Sequence, residues 1–465
     1  MGSSVSRACL RPWPRTSAER FVKPFYGKAI AFRERAYTEM NTPPTSLHPE
    51  SQKTPVPRQG YWRRLALILA VIGPGIITSN VDNDAGGITT YSLAGSEFGL
   101  RLLWSMVPIT AALILIQEMS ARMGVVSGKG LAALIREQFG AAVTFYLMIG
   151  IILTNLANTV AEFAGVVAAL ELFTVPRHYS APVAAFLVWF LVLKGSYKTV
   201  EKVFLGACVF YVAYIVSGFL AKPDWGSVSR EILSPRPDFS AAAMTMVVGL
   251  VGTTIAPWMQ FYLQASIVDK GLTAKDYKII RWDVITGSVT VSVTAFFIIL
   301  VCAVTIHANG MHIESAKEAA LALAPLAGKY ASDLFALGLL NASLFAASIL
   351  PLSTAYTVCE AFGWESSVDC KFEEAPQFYI LYSLMIVLGA GLVMIPDAPL
   401  IPIMYFSQVL NGLVLPIILF FMIRLINDPS VMGDQVNGRV ANVLTWLTTV
   451  LLSLLSIVTV VTSVW

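Results

Sequence analysis

Eleven apolar runs follow one another from Trp62 to the terminal Trp465. Each spans about 17–30 residues, long enough to cross a bilayer as a helix. A transmembrane β-barrel is excluded, because its strands are about ten residues of alternating polarity. Composition agrees: 56% of residues are hydrophobic, 13% are charged and the mean hydropathy is +0.68, far from the values of a soluble domain. The expected fold is an all-α polytopic membrane protein. Residues 1–60 read as a disordered cytoplasmic tail and 61–465 as the transmembrane domain. The tail is rich in Arg, Pro and Ser and holds no long apolar stretch. Its opening MGSSVS fits the N-myristoylation pattern, a six-residue match that chance supplies easily, and Met40 is at least as good a start.

Charge sets the expected sidedness. With the N-terminus inside, 25 of the 32 Lys and Arg fall in the tail and inner loops and 7 outside, the bias of a cytoplasmic N-terminus. An odd number of spans then leaves the C-terminus extracellular, in a multi-pass protein of the cell membrane. The net charge of +3 comes mainly from the tail and loops and gives no reason to expect nucleic acid as a partner. Five cysteines, at 9, 208, 302, 359 and 370, form no CxxC and no ligand-like pairing with the four histidines, so neither a disulfide framework nor a zinc site is expected.

The first run, 65–97, contains SNVDNDAGGI at 79–88. An aspartate costs roughly 2.5–3.5 kcal/mol at the centre of a membrane helix on insertion scales, so Asp82 and Asp84 need compensation. Gly73, Pro74 and Gly75 precede them, and Gly86 and Gly87 follow. The sixth run, 240–267, is punctuated in the same way by Gly249, Gly252 and Pro257 in GLVGTTIAPWMQ. Two interrupted helices five spans apart are the mark of a transporter built from inverted repeats of spans 1–5 and 6–10, with its site where both unwind. Freed backbone carbonyls beside carboxylates make an oxygen-lined cation cage. Asn83 is an alternative cap for the helix after the break. Glu162, in mid-span, suits either a vestibule or relay position or a hydrogen bond to a helix break. The acidic residues Glu360, Glu365, Asp369, Glu373 and Glu374, at the end of span 8 and in the inner loop after it, read as a solvated loop more readily than as a cation-attracting surface.

Several stretches resemble the NRAMP divalent-metal transporters over nearly everything after residue 60. GPGIITSNVDNDAGGITTYSLAG occupies the place of that family's first helix, with its Asp-Pro-Gly-Asn metal motif. QEMSARMGVVSGKGLAALIREQFG looks like the family's second span and inner loop, and FSQVLNGLVLPIILFFMIRLINDPSVMGDQVN is similar to its tenth span. The resemblance implies a LeuT-like fold of eleven transmembrane helices, with a divalent-metal site between spans 1 and 6. Aligned from Gly73, the motif Asp falls on Asp84, the Pro on Ala85, the Gly on Gly86 and the Asn on Gly87, so one oxygen ligand is missing. The family's Met-Pro-His reads Ala256, Pro257 and Trp258, and its second histidine falls on Leu263. Its third-span Asp-and-Glu stretch reads Thr159 and Glu162.

The expected metal site is therefore Asp84, Asp82, Gly87, Ala256, Thr253 and Gln408, with Glu162, Thr159 and Trp258 as vestibule or relay positions. Losing the thioether removes the soft ligand that suits manganese, iron and cadmium. An oxygen-only, roomier site favours magnesium, which gives up its waters reluctantly. The absent histidines and Thr159 interrupt the family's proton route. This combination is most like the NRAMP-related magnesium transporters. The expected activity is uniporter-like transport of Mg2+, and also Mn2+, by alternating access without proton coupling, in a monomer with no cofactor. The alternative is a proton-coupled Mn2+/Fe2+ importer of the ordinary NRAMP type. An amino-acid carrier of the same fold is disfavoured because two aspartates repel a substrate carboxylate. A channel is a further alternative, since flow without proton coupling is downhill either way, and turnover that saturates with Mg2+ without single-channel currents separates carrier from pore. An intramembrane protease is disfavoured because Asp82 and Asp84 are neighbours on one segment. The chain is not expected to be an enzyme.

Overall fold

The computed structural model describes residues 81–194, 208–367 and 372–464. The tail, Gly73-Pro74-Gly75 and Asp369 lie outside the described residues. All eleven expected spans are represented as helices, and there is no strand among the described residues. α1 (Ala85–Phe98) is the second half of span 1, α2 (Met106–Ser127) is span 2, and α3 (Leu131–Phe139) is a short helix in the loop after it. α4 (Ala141–Glu171) and α5 (Arg177–Lys194) are spans 3 and 4. α6 (Val212–Leu220) belongs to span 5, and α7 (Trp225–Leu233) lies in the following loop. Span 6 is split into α8 (Ala241–Thr254) and α9 (Pro257–Asp269). α10 (Tyr277–Thr305), α11 (Ala331–Phe362), α12 (Pro376–Val393), α13 (Leu400–Ile426) and α14 (Arg439–Val464) are spans 7 to 11. Among the described residues, eight helical segments are long and apolar enough to cross a membrane; α5, span 4, is not one of them, and spans 1 and 5 enter the described residues only in part.

The bundle separates helices with a lipid face from helices without one. α14 exposes Val443, Leu447, Leu454 and Ile457 along its length, an apolar face that suits a bilayer. α9 is buried from Pro257 to Ala265 without a gap, so it lies inside the protein. Around it, α4 packs on α11, α8 on α13 and α1, and α2 on α9. Membrane helices gain little from apolar burial against one another, so small residues that permit close approach decide such contacts. A Cβ on Gly252 of α8 would lie 2.0 Å from the Gln408 carbonyl oxygen and 2.4 Å from the Gly412 nitrogen of α13. At Gly165 of α4 a Cβ would lie 2.3 Å from the Ala85 Cβ and 2.4 Å from Ser343 Oγ of α11. Those contacts bring both helix breaks to the middle of the bundle.

One end is tied by polar groups from the second span. Arg122 pairs with Glu118 at 3.2 Å, donates to the Gln435 carbonyl at 3.0 Å, and also bonds Asn437 Oδ1, while Tyr277 donates to Glu118. Loops 128–130 and 433–438 share this end. On the opposite end Asp224 caps α7 by accepting from Gly226 and Ser227, and the Ser227 hydroxyl and Gly226 amide hold its carboxyl below the usual range.

Gly252→Leu is expected to abolish monodisperse protein in detergent, because backbone faces the new side chain. Gly391→Leu, where no heavy atom lies within 4 Å of a Cβ, is expected to run as the unsubstituted chain does. Size-exclusion profiles of the two variants check this, and equal recovery of both would contradict the packing.

Candidate metal centre

The first break occupies Asp82–Asp84, where no regular helix is formed. Asp84, at φ −73° and ψ −174°, is extended and caps α1, its Oδ1 accepting from the Gly87 amide at 2.6 Å. The cap is therefore Asp84, not Asn83; an extended Asp just before a helix reaches the orphan amides of the first turn. Asn83 contributes its backbone instead, its carbonyl accepting from the Tyr211 hydroxyl at 2.9 Å. The second break is two residues long. Ile255 sits at φ −127° and ψ 52°, Ala256 at φ −61° and ψ 138°, and Pro257 opens α9. Proline suits that place, since it lacks the amide that a first helical turn leaves unpaired.

The two breaks meet at Gly87. A Cβ there would lie 2.6 Å from the Asp82 carbonyl oxygen, 3.1 Å from Thr253 Oγ1 and 3.3 Å from Asp84 Oδ1. Asp82, Asp84, Gly87 and Thr253 are thus brought together, as the sequence led us to expect. Glu162 joins them from α4: its Oε2 accepts from the Ala85 amide, the residue after Asp84, at 3.2 Å. The hydrogen bond to a helix break is the role realised.

These groups are sealed in. Asp82 is 1% exposed and Glu162 0%. Neither carboxylate oxygen of Asp82, nor Asn83 Oδ1, Thr253 Oγ1 or Glu162 Oε1, has a hydrogen-bond partner among the described residues. Buried unpaired polar atoms cost about 1–3 kcal/mol each, more when charged. Five such oxygens at one junction make the space a receptor for something with positive charge or bound water. Among the described residues no three His, Cys, Asp or Glu side chains converge as ligands. What the junction supplies is two aspartates, a hydroxyl, backbone carbonyls and an amide oxygen, all hard donors.

The other expected residues are placed less centrally. Ala256 lies buried in the second break, its carbonyl accepting from Met259 N at 3.1 Å and Gln260 Nε2 at 3.4 Å, and its methyl offers no donor. Gln408 packs on Gly86, where a Cβ would lie 1.9 Å from its Nε2. Its Oε1, however, accepts from Asn411 Nδ2 at 2.9 Å. Asn411 and Asn158 exchange amide hydrogen bonds at 2.9 and 3.0 Å. Trp258 is buried beside Tyr262, ring centroids 6.2 Å apart. Thr159 turns away from the junction: its hydroxyl bonds the Asn155 carbonyl at 2.8 Å, and its methyl lies 2.7 Å from where a Cβ of Gly389 in α12 would stand. Glu360 is not part of a solvated loop. Its carboxylate is pressed on the backbone of Gly130, whereas Glu365, Glu373 and Glu374 are exposed.

Sequence reasoning missed Asn158, Asn411 and Tyr211. The signal for Asn158 was present: Asn155, Asn158 and Glu162 recur at helical spacing in an otherwise apolar span and so share one face of α4. Nothing in the sequence announced Tyr211, which reaches the break from another span.

A bundle with two broken helices meeting at a buried oxygen junction is the architecture of a LeuT-fold secondary transporter. The chain belongs to the NRAMP family: the family profile described as natural resistance-associated macrophage protein-like matches residues 75–462. The "Divalent metal cation transporter MntH" of Bacillus subtilis is 26% identical over 434 residues, covering 91% of this chain and 99% of that protein. The protein of the same name from Klebsiella pneumoniae is 28% identical over 387 residues, 81% and 90% of the two chains. Among solved structures, the Eremococcus coleocola manganese transporter superposes with a TM-score of 0.70 at 22% identity, covering 87% and 88%. MhsT in complex with L-phenylalanine gives 0.57 at 14% identity, covering 86% and 98%, so the same fold frame holds proteins with different bound ligands.

The crowding at Gly87 makes a test. Gly87→Asn, which restores the family residue, must displace the Asp82 carbonyl, and overpacking of this kind costs about 1–3 kcal/mol. A lowered melting temperature in detergent is expected. An unchanged or raised one would show that the Asp82 carbonyl is free to move.

Proposed function

We propose that the chain carries divalent metal cations across the cell membrane by alternating access, with Mg2+ as its main cargo and Mn2+ also accepted, and without proton coupling. The observation that carries the reading is the set of unpartnered buried oxygens of Asp82, Glu162, Thr253 and Asn83 at the junction of the two breaks. Family membership and relatives named as divalent metal cation transporters support the transport class. Preference for Mg2+ follows from the donors: the junction has no sulfur, Ala256 stands at the second break, and Gly87 adds no side-chain oxygen. Fewer direct ligands suit a cation that keeps part of its water shell. The absence of proton coupling follows from α9, which contains no histidine, and from Thr159, which bonds its own helix. In this reading the protein acts as a monomer, N-terminus cytoplasmic and C-terminus extracellular, with 1–60 as a tail before the transporter domain 61–465.

Asp84 is the central ligand and Asp82 the second acid. In proteoliposomes, Asp84→Ala is expected to abolish saturable Mg2+ uptake while leaving a monodisperse protein, since removing a carboxylate also removes the cost of burying it. Asp82→Asn is expected to lower uptake less. Unchanged uptake in Asp84→Ala would move the ion site away from the first break.

The same vesicles test selectivity and coupling. Mn2+ should compete with Mg2+, Cd2+ should compete poorly, and a lumenal pH dye should stay level during Mg2+ uptake. A proton-coupled Mn2+/Fe2+ importer is the second reading, favoured by the retained, buried Glu162, whose Oε2 accepts from the Ala85 amide beside Asp84. Efficient Cd2+ competition together with lumenal acidification would establish it instead.

A further inference from the structure

A cavity of about 620 Å³ opens where span 10 ends and span 11 begins. Its lining includes Phe139 of α3, Arg424 in the last turn of α13, Asn427 and Asp428 just after that helix, and Asn442 and Trp446 of α14. Such a volume falls within the range of small-ligand pockets, about 300–1,000 Å³. The two asparagines are spent on their surroundings. Asn427 donates to the Ile423 carbonyl at 2.8 Å and to Asn442 Oδ1 at 2.7 Å, and Asn442 donates back to Asn427 Oδ1 at 2.7 Å. The two charged groups are not. Arg424 is exposed and acts on Asp428 as a charge at a distance, without a hydrogen bond or ion pair among the described residues. Asp428 Oδ1 accepts from the Ser430 amide at 2.8 Å and hydroxyl at 2.7 Å, while its Oδ2 accepts from nothing among the described residues. The Ser430 hydroxyl and amide, and then Arg424, hold this carboxyl below the usual range, so it is ionised at neutral pH.

Toward the membrane the surface beside the cavity is apolar. Trp446, Val450 and Leu454 recur every four residues along α14 and are all exposed, which places them on one stripe. Phe420 of α13 meets Trp446 edge-on, ring centroids 6.3 Å apart. Acyl chains cover a stripe of this kind in a bilayer, and a tryptophan at its end suits the headgroup level. Toward the protein the cavity adjoins the polar tie to the second span. Asn442 Oδ1 also accepts from Asn437 Nδ2 at 3.2 Å, and Asn437 in turn accepts from Arg122 of α2. An occupant of the cavity therefore touches both the lipid face and the network that joins spans 2, 10 and 11.

We propose that this cavity holds the phosphoethanolamine headgroup of a membrane phospholipid, with its phosphate on Arg424, its ammonium on Asp428 and its acyl chains along the Trp446 stripe. The guanidinium matches a phosphate with two parallel N–H bonds, and a primary ammonium has three N–H groups for the unspent Asp428 oxygen. A purely anionic headgroup meets Asp428 as a like charge, and a quaternary ammonium has no N–H to give it. Each charged residue also has a local role: Arg424 complements the C-terminus of α13, and Asp428 caps the turn at 429–432. It is their sharing of one cavity at the edge of a lipid face that points to a zwitterion. The inference concerns a lipid and is independent of the transported ion.

The test is native mass spectrometry of the full chain in detergent with phosphatidylethanolamine, phosphatidylcholine and phosphatidylglycerol of equal chain length at equal concentration. The unsubstituted protein is expected to retain phosphatidylethanolamine about tenfold better than either of the others, the discrimination that one charge-assisted contact supplies. Arg424→Gln should lower its retention by about the same factor. Asp428→Asn, which keeps an acceptor for Ser430, should bring phosphatidylethanolamine down to the level of phosphatidylcholine. Equal retention of the three lipids by the unsubstituted protein, or a preference for phosphatidylglycerol, would overturn the proposal. Undiminished phosphatidylethanolamine binding in Asp428→Asn would do the same, and that variant decides alone if Arg424→Gln fails to fold. A second measurement separates lipid from soluble ligand. Phosphatidylethanolamine is expected to raise the melting temperature of the detergent-solubilised chain, and soluble phosphoethanolamine at the same concentration to leave it unchanged; an equal rise with both would refute the lipid as occupant.

Discussion

Two aspartates in a membrane-spanning segment are tolerable only if the backbone opens beside them. A continuous helix through residues 82–84 would use its own carbonyls and point both carboxylates at hydrocarbon or packed side chains. By leaving helical geometry there, the chain turns one acid into a cap for α1 and leaves the other with two oxygens that have no partner among the described residues. The cost of those oxygens is what a cation offsets on arrival. The junction is a polar defect in an apolar bundle, and in the proposed reading the ion fills it. The rest of the structure serves to hold that defect open and in register.

Close approach through small residues does much of the holding. α8 lies directly on the backbone of α13 at Gly252 and Gly412, and α1 meets α4 and α11 at Gly165. Helices that touch at the backbone keep the breaks within reach of each other, so that Asp82, Asp84 and Thr253 can converge on Gly87. The amides of Asn158, Gln408 and Asn411 then saturate one another beside the junction. This network fixes Gln408 against Gly86.

Within the NRAMP frame, the departures of this chain act in a consistent direction. Gly87 has no space for the side chain that the family motif places there, because the Asp82 carbonyl occupies it. Ala256 puts a methyl where a thioether would select soft metals. Thr159, in place of an acid, satisfies its hydroxyl within α4 and packs on α12. Each change removes a strong ligand or a proton carrier and leaves hard oxygens and neutral amides. Sites of that composition bind ions through water as much as directly.

The helical class, the eleven spans and the two broken helices were legible from sequence, because hydrocarbon thickness sets run length and because Gly, Pro and Asp are conspicuous in apolar text. Asp82 and Asp84 stood out for the same reason, and the structure adds that they lie together at Gly87. What sequence left undecided was pairing across space. It did not say that Asp84 rather than Asn83 would cap α1, that Glu162 would reach the Ala85 amide, that Thr159 would face α12, or that Gln408 would spend its oxygen on Asn411. An apolar span advertises its depth in the membrane but not which of its sides meets which neighbour, since lipid and protein interior are equally apolar. Only the packed bundle, through backbone contacts at a few glycines, sets those rotations and so decides which polar atoms are left for the ion.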